Sequence, residues 1–130
     1  MLSRTASNLY WMARYVERAE NTARILDVAY RMSLMSQASA TQESEWLAPL
    51  NISGTLYPFE GRYSMVTARD VMMFMALDPD NPGSIVSCAK SARENARAVR
   101  GNVTSEMWEV LNSTWLELQH LTEDRLAGDG

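Results

Sequence analysis

An all-α, up-down bundle of about five helices is the fold this sequence predicts, and three observations carry the prediction. The apolar positions are filled by Leu, Met, Ala and Trp rather than by Ile and Val, with 9 Met and 4 Trp against 6 Gly and 4 Pro. Leu, Met and Ala lose little rotamer freedom in a helix, so this mixture favours helix over sheet. Long stretches lack both Gly and Pro, and within them apolar residues recur at the three- and four-residue spacing of one helix face. A length of 130 residues, 46% of them hydrophobic, suits one domain with one continuous core, so residues 1–130 are expected to fold as a single unit.

Taken in order, Ser3 is placed to cap a long first helix that runs to about Gln37. At 100° per residue its apolar face gathers Leu2, Ala6, Leu9, Met12, Ala13, Val16, Ala19, Ala23, Leu26, Tyr30 and Leu34. Residues 36–44 are small and polar and are expected to form a loop. Trp46, Leu47 and Leu50 then suggest a short helix disturbed by Pro49. Gly54, Pro58 and Gly61 make 51–64 a loop or broken helix. Thr67 caps a helix over 68–77, which carries Val71, Met72, Met73, Phe74 and Met75 with no clear polar side and is therefore expected at the centre. Asp78-Pro79-Asp80 stops it. Asn81 as N-cap and Pro82 at the first helical position open a fourth helix, with Ile85, Cys88, Ala89, Ala92, Ala96 and Val99 as its buried face and Gly101 as its left-handed end. Thr104 or Ser105 caps the fifth, whose face of Met107, Val110, Leu111, Thr114, Leu118 and Leu121 continues to about Asp124; residues 127–130 are expected to fray.

Several function classes find no support. A net charge of -4 gives no long-range attraction to polyphosphate, so nucleic acid is not an expected partner. The opening MLSRTASNLYW has no basic region followed by an apolar run, and nowhere does an uncharged apolar stretch of ~18 residues occur. A soluble, cytoplasmic chain without a membrane partner is expected. Cys88 is the sole cysteine, cannot form an internal disulfide, and reads as a small buried side chain. No phosphate-cradling Gly-rich loop, Ser-His-Asp set or Cys-His pair can be assembled, and the single His120 lies off the fifth helix's apolar face, where a ferritin-like di-metal site would need a Glu-x-x-His element on two helices. No cofactor, metal or catalytic residue is assigned.

The charges that call for a reason sit on the first helix. Glu20 and Asp27 fall inside its apolar stripe, Arg24 and Arg31 lie close by, and Glu17 is at the edge. Glu20–Arg24 and Asp27–Arg31 are i,i+4 pairs with the acid N-terminal, the favourable orientation. Burying such groups costs more than surface pairs return, so partners from another helix are expected, with Arg93, Arg97 and Arg100 as donors. The result is either an interhelical salt-bridge network that selects which helices pair, or a cleft in which paired acids and arginines take a carboxylate, phosphate or amine. Trp11, Arg14, Tyr15 and Arg18 occupy the opposite side and suit either a protein interface or cover by another helix of the chain.

The opening MLSRTASNLYWMARYVERAENTARILDV resembles the start of the Alpha-E family, also called domain of unknown function 403, named for its helices and its Glu-Arg motif; Glu17-Arg18 is that pair here. Residues 78–112, DPDNPGSIVSCAKSARENARAVRGNVTSEMWEVLN, are similar to the family's second shared block. Matched residue by residue, Glu17, Arg18, Glu20, Asn21 and Arg24 fall on the first motif and Arg93, Glu94, Asn95, Arg97 and Arg100 on the second. Position 7 is Ser where the family more often has Glu. The resemblance implies company with ATP-grasp and transglutaminase-like proteins of a peptide or amide ligation system, in which this chain would be an accessory binding subunit or an enzyme acting through a Glu-Arg cleft. It also implies a longer protein, of which this chain is an N-terminal part. A helix face normally covered by later residues would then be bare, with Trp108, Trp115 and Leu116 as candidates, and a two-fold homodimer is the expected remedy.

Overall fold

The computed structural model describes residues 2–35 and 39–128, with side chains over 2–35 and 44–124. Its α-helices are α1 (Ser3–Met35), α2 (Ser39–Ser53), α3 (Leu56–Glu60), α4 (Ala68–Met72), α5 (Ile85–Ala98) and α6 (Ser105–Gly128). A π-helical turn, Met73–Leu77, continues α4, and a 3-10 turn, Arg100–Asn102, follows α5. There is no strand among the described residues, as the composition predicts.

α5 is the hub of the bundle. Val86, Cys88, Ala92 and Ala96 form its buried face, and the two alanines let α1 approach closely, making α1–α5 the most extensive helix contact and α5–α6 the next. Met12 meets Ala92 and Ala96, whereas Asn21, further along α1, shares a pocket with Asn81 and Gly83, so α5 runs antiparallel to α1.

Both long helices turn a different face to α5 than a 100° wheel selects. On α1 the buried or half-buried positions include Met12, Tyr15, Ala19, Thr22, Leu26 and Ala29, stepping alternately by three and four residues. On α6 the half-buried positions include Trp108, Leu111, Trp115, Leu118 and Thr122, with the same alternation, and Asn112 beside them. This is the 3.5-residue repeat of helices that pack nearly parallel over many turns. Much of the expected face lies on one flank of that seam: Val16, Tyr30 and Leu34 of α1, and Met107, Val110 and Leu121 of α6, are exposed.

Two apolar clusters fill the interior. The larger joins Leu26 and Ala29 to Trp46, Leu50, Phe59, Val71, Phe74 and Met75. Phe59 stacks on Tyr63 with ring centres 4.8 Å apart and meets Phe74 edge-on at 5.4 Å. Each fully buried side chain of this size contributes ~1.5–3 kcal/mol relative to exposure. The smaller cluster joins Met12, Ala92 and Ala96, with Leu9, Tyr15, Val103, Trp108 and Leu111 against them.

Several local expectations are corrected. Residues 39–44, expected in a loop, belong to α2, which continues through Pro49 instead of breaking there; residues 36–38, the rest of that loop and the expected end of the first helix, lie outside the described residues. Pro49 is fully buried, so the core gain at this site offsets the lost backbone hydrogen bond. α5 is capped by Ser84, not Asn81: the Ser87 amide donates to Ser84 Oγ at 3.1 Å. Asn81 instead closes the preceding turn, its Nδ2 donating to the Phe74 carbonyl at 2.9 Å and its Oδ1 accepting from the Gly83 amide at 3.2 Å. Gly101 sits in the 3-10 turn without the left-handed conformation expected of it; among the described glycines only Gly54 has positive φ, at 70°. Thr67 and Thr104 cap α4 and α6 as expected.

Candidate functional site

The turn between the π-helical segment and α5 is built tightly. Asp78 is buried, accepts from the Asp80 amide at 2.9 Å and pairs with Arg62. That pair raises the Arg62 pKa above its ordinary value, chiefly through the hydrogen bond to Asp78. Ser84 Oγ donates to the Asp78 carbonyl at 2.7 Å. The turn therefore has a fixed shape where it faces α1.

Against it lies a cleft of about 480 Å³ lined by Tyr15 and Arg18 of α1, Pro79 and Pro82 of the turn, and Ser87, Lys90, Ser91, Glu94 and Asn95 on α5. The Arg18 guanidinium lies over the Tyr15 ring, 5.7 Å from its centre, which steadies it without removing its charge. Asn95 Nδ2 donates to the Ser91 carbonyl at 2.8 Å, which turns the amide within the cleft. Glu94 is held by Arg93 at 3.3 Å. Arg18 and Lys90, with the Ser91 hydroxyl, form a cationic, donor-bearing surface on a chain whose net charge is -4, while the Ser87 hydroxyl donates to the Pro79 carbonyl at 3.3 Å. Such a surface suits a carboxylate or phosphate group. A smaller pocket next to it shares Arg18 and adds Asn21, Thr22 and Thr55.

The sequence-predicted residues are thus dispersed over several faces. Arg18, Glu94 and Asn95 meet in one cleft, and Asn21 lines its neighbour. Glu17 and Glu20 face a different groove, toward α6. The interhelical network between first-helix acids and α5 arginines is not formed. Glu20 pairs with Arg24 at 2.7 Å, Asp27 with Arg31 at 3.2 Å and Glu17 with Arg14 at 3.7 Å, all along α1 and all exposed. The physical reason is the rotation described above: once the 3.5-residue seam faces α5, these charges fall outside it and remain hydrated at no desolvation cost. Arg93 turns to α6, donating to Asn112 at 2.7 Å, and with Arg100 lies against the Trp108 ring at 5.6 and 5.3 Å. Arg97 is exposed. Of the Trp11 cluster, Tyr15 is partly covered by α5, whereas Trp11 stays exposed.

Lys90, Ser87 and Ser91 were not singled out from sequence. Their signal was present as a polar edge on α5 at three- and four-residue steps, but only α1 and the turn make that edge one wall of a cleft. Cys88 is fully buried, as expected, and loss of hydration raises its thiol pKa above the ordinary value. No group of His, Cys, Asp and Glu fit to hold a metal ion occurs among the described residues. No described helix is long and apolar enough to cross a membrane.

A helical bundle with side-chain-lined clefts between its long helices is the class of domain defined here. Over residues 1–128 the chain matches the model of the Alpha-E family, described as a predicted alpha-helical domain with a conserved ER motif, and it belongs to that family. The sequence holds one Glu-Arg dipeptide, Glu17-Arg18. Uncharacterized proteins of Mycobacterium bovis and of Mycobacterium tuberculosis are 30% identical to it over 132 residues, covering 92% of this chain and 15% of theirs. The chain thus spans about one-seventh of the length of these relatives. No solved structure matches it.

Proposed function

We propose that the chain is a binding module whose Arg18 cleft receives the anionic group of a peptide- or amide-type substrate, in a ligation system that includes ATP-grasp and transglutaminase-like proteins. The observation that supports a binding role is the cleft itself: Arg18 from one family block and Lys90, Glu94 and Asn95 from the other share one wall-to-wall site. Its Arg18 and Lys90 cations are suited to holding an anion, and neither a thiol nor an imidazole is among the side chains that line it. The place in an ATP-grasp system rests on the family resemblance.

The binding role is tested by titrating the chain with inorganic phosphate and with a short peptide bearing a free C-terminal carboxylate, following amide shifts by NMR. Shifts clustered at Arg18, Ser87, Ser91 and Asn95, lost in Arg18→Ala, support it; no saturable shift at these residues sinks it. Co-purification with an ATP-grasp protein of the same cell tests the wider system separately. Turnover of a peptide or amide by the protein alone, abolished by Glu17→Gln, would replace the binding role with an enzymatic one.

A further inference from the structure

α1 and α6 both pack on α5, yet between them runs a groove of about 550 Å³ that no α5 residue lines. Its floor is Met12, Ala13 and Val16 of α1 with Met107, Val110 and Leu111 of α6, and Glu17, Glu20 and Glu106 complete its lining. Met12 and Leu111 also belong to the smaller core cluster, so the groove opens directly onto the interior. Three helices about a shared seam leave one position of a four-helix bundle empty, and this groove is that position.

The apolar stripes support this placement. The faces that a 3.6-residue wheel selects on α1 and α6 are in large part the exposed flanks described above, so each long helix carries apolar residues in register beyond those that α5 covers. Val110 is 63% exposed and Met107 44%. The charge of the lining selects the occupant. Three carboxylates line the groove and no cation does. Arg14 and Arg24 pair with Glu17 and Glu20 from along α1, but exposed pairs of this kind are worth at most ~1 kcal/mol and Glu106 stands at the first turn of α6. A second copy docked groove to groove would set these acids against their own counterparts, which opposes self-association here.

We propose that this groove docks an amphipathic helix of a partner protein, one with apolar side chains at i, i+3, i+4 and i+7 flanked by Lys and Arg. The apolar row fills the bundle position and the flanking cations meet Glu17, Glu20 and Glu106. The groove and the Arg18 cleft lie on opposite flanks of the α1 seam, so occupation of one leaves the other open and the two can fail independently.

The test uses the full chain and three fluorescein-labelled synthetic peptides of about 18 residues, long enough to form a helix on binding. One carries Leu at the stated spacing with Lys flanks, one has Glu in place of every Lys, and one is a scramble of the first with the same composition. Anisotropy is expected to show saturable one-to-one binding of the Lys peptide, at least about tenfold tighter than the other two and weakened by salt. Val110→Asp and, separately, Glu106→Lys are expected to lower that affinity by at least about tenfold; both side chains are exposed, so the fold is kept, as circular dichroism would verify. Equal affinity for the scrambled peptide, indifference to both substitutions, no binding, or a doubled mass abolished by Val110→Asp would each overturn the proposal, the last by assigning the groove to a second copy.

Discussion

At the scale of single residues, exposure decides what a charge is worth. Arg24 and Glu20 make a 2.7 Å contact, but their side chains are 64% and 65% exposed. Arg24→Ala is therefore expected to lower stability by less than about 1 kcal/mol, the range of exposed pairs, whereas a network closed against α5 would make the loss several-fold larger. Urea unfolding of the two proteins measures the difference. Cys88 shows the opposite case. Burial raises its thiol pKa above the ordinary value of 9.0, so the unfolded chain gives up the proton at lower pH than the folded one. Stability from this group is complete below the unfolded pKa and is lost as pH rises toward the folded value. Tyr63 is shifted in the same direction by its own burial, from 10.0. The chain is expected to lose stability as pH rises above about 9, with a shallower loss in Cys88→Ala, as thermal unfolding across pH 8–10 would register. A slope unchanged by Cys88→Ala would show that the thiol is not the cause.

At the scale of elements, α5 depends on how it begins. Ser84 is fully buried, accepts from the Ser87 amide and donates to the Asp78 carbonyl, so one hydroxyl both caps the helix and fastens the turn. Ser84→Ala removes both bonds and is expected to cost about 1–2 kcal/mol or somewhat more, the range of lost caps, visible in the denaturant midpoint. Asn81 was the plausible cap in the sequence because Asn followed by Pro is a common helix start. It lost the role because its amide reaches back seven residues to Phe74. α2 shows a similar override, since Pro49 stops a helix when only local structure counts, yet here it is buried within one.

At the scale of the whole molecule, three helices share one seam and leave a fourth position open. A homodimer through Trp108, Trp115 and Leu116 would have to be made mainly by Leu116, because the two tryptophans are half-buried and both Arg93 and Arg100 lie against the Trp108 ring. One exposed leucine is ordinary on a protein surface. Light scattering at ~10 µM, where interfaces of standard size would already hold, is expected to give a mass near 14.6 kDa. Twice that mass, abolished by Leu116→Asp, would establish the dimer.

The sequence by itself determined the helices, because their start signals, Gly-free runs and apolar spacing act over neighbouring residues: α1, α4, α6 and the burial of Cys88 follow from them. It also singled out Arg18, Glu94 and Asn95 by motif. Tertiary structure alone decided which flank of each long helix meets α5. Apolar residues lie on adjacent flanks of α1 and α6, so a wheel admits more than one orientation, and contact over several turns favours the 3.5-residue seam. That rotation, only a fraction of a turn, moved Glu20, Arg24 and Asp27 into solvent, set Glu17 and Arg18 toward different grooves, and joined Arg18 to Lys90 across a cleft whose walls are more than sixty residues apart in the chain.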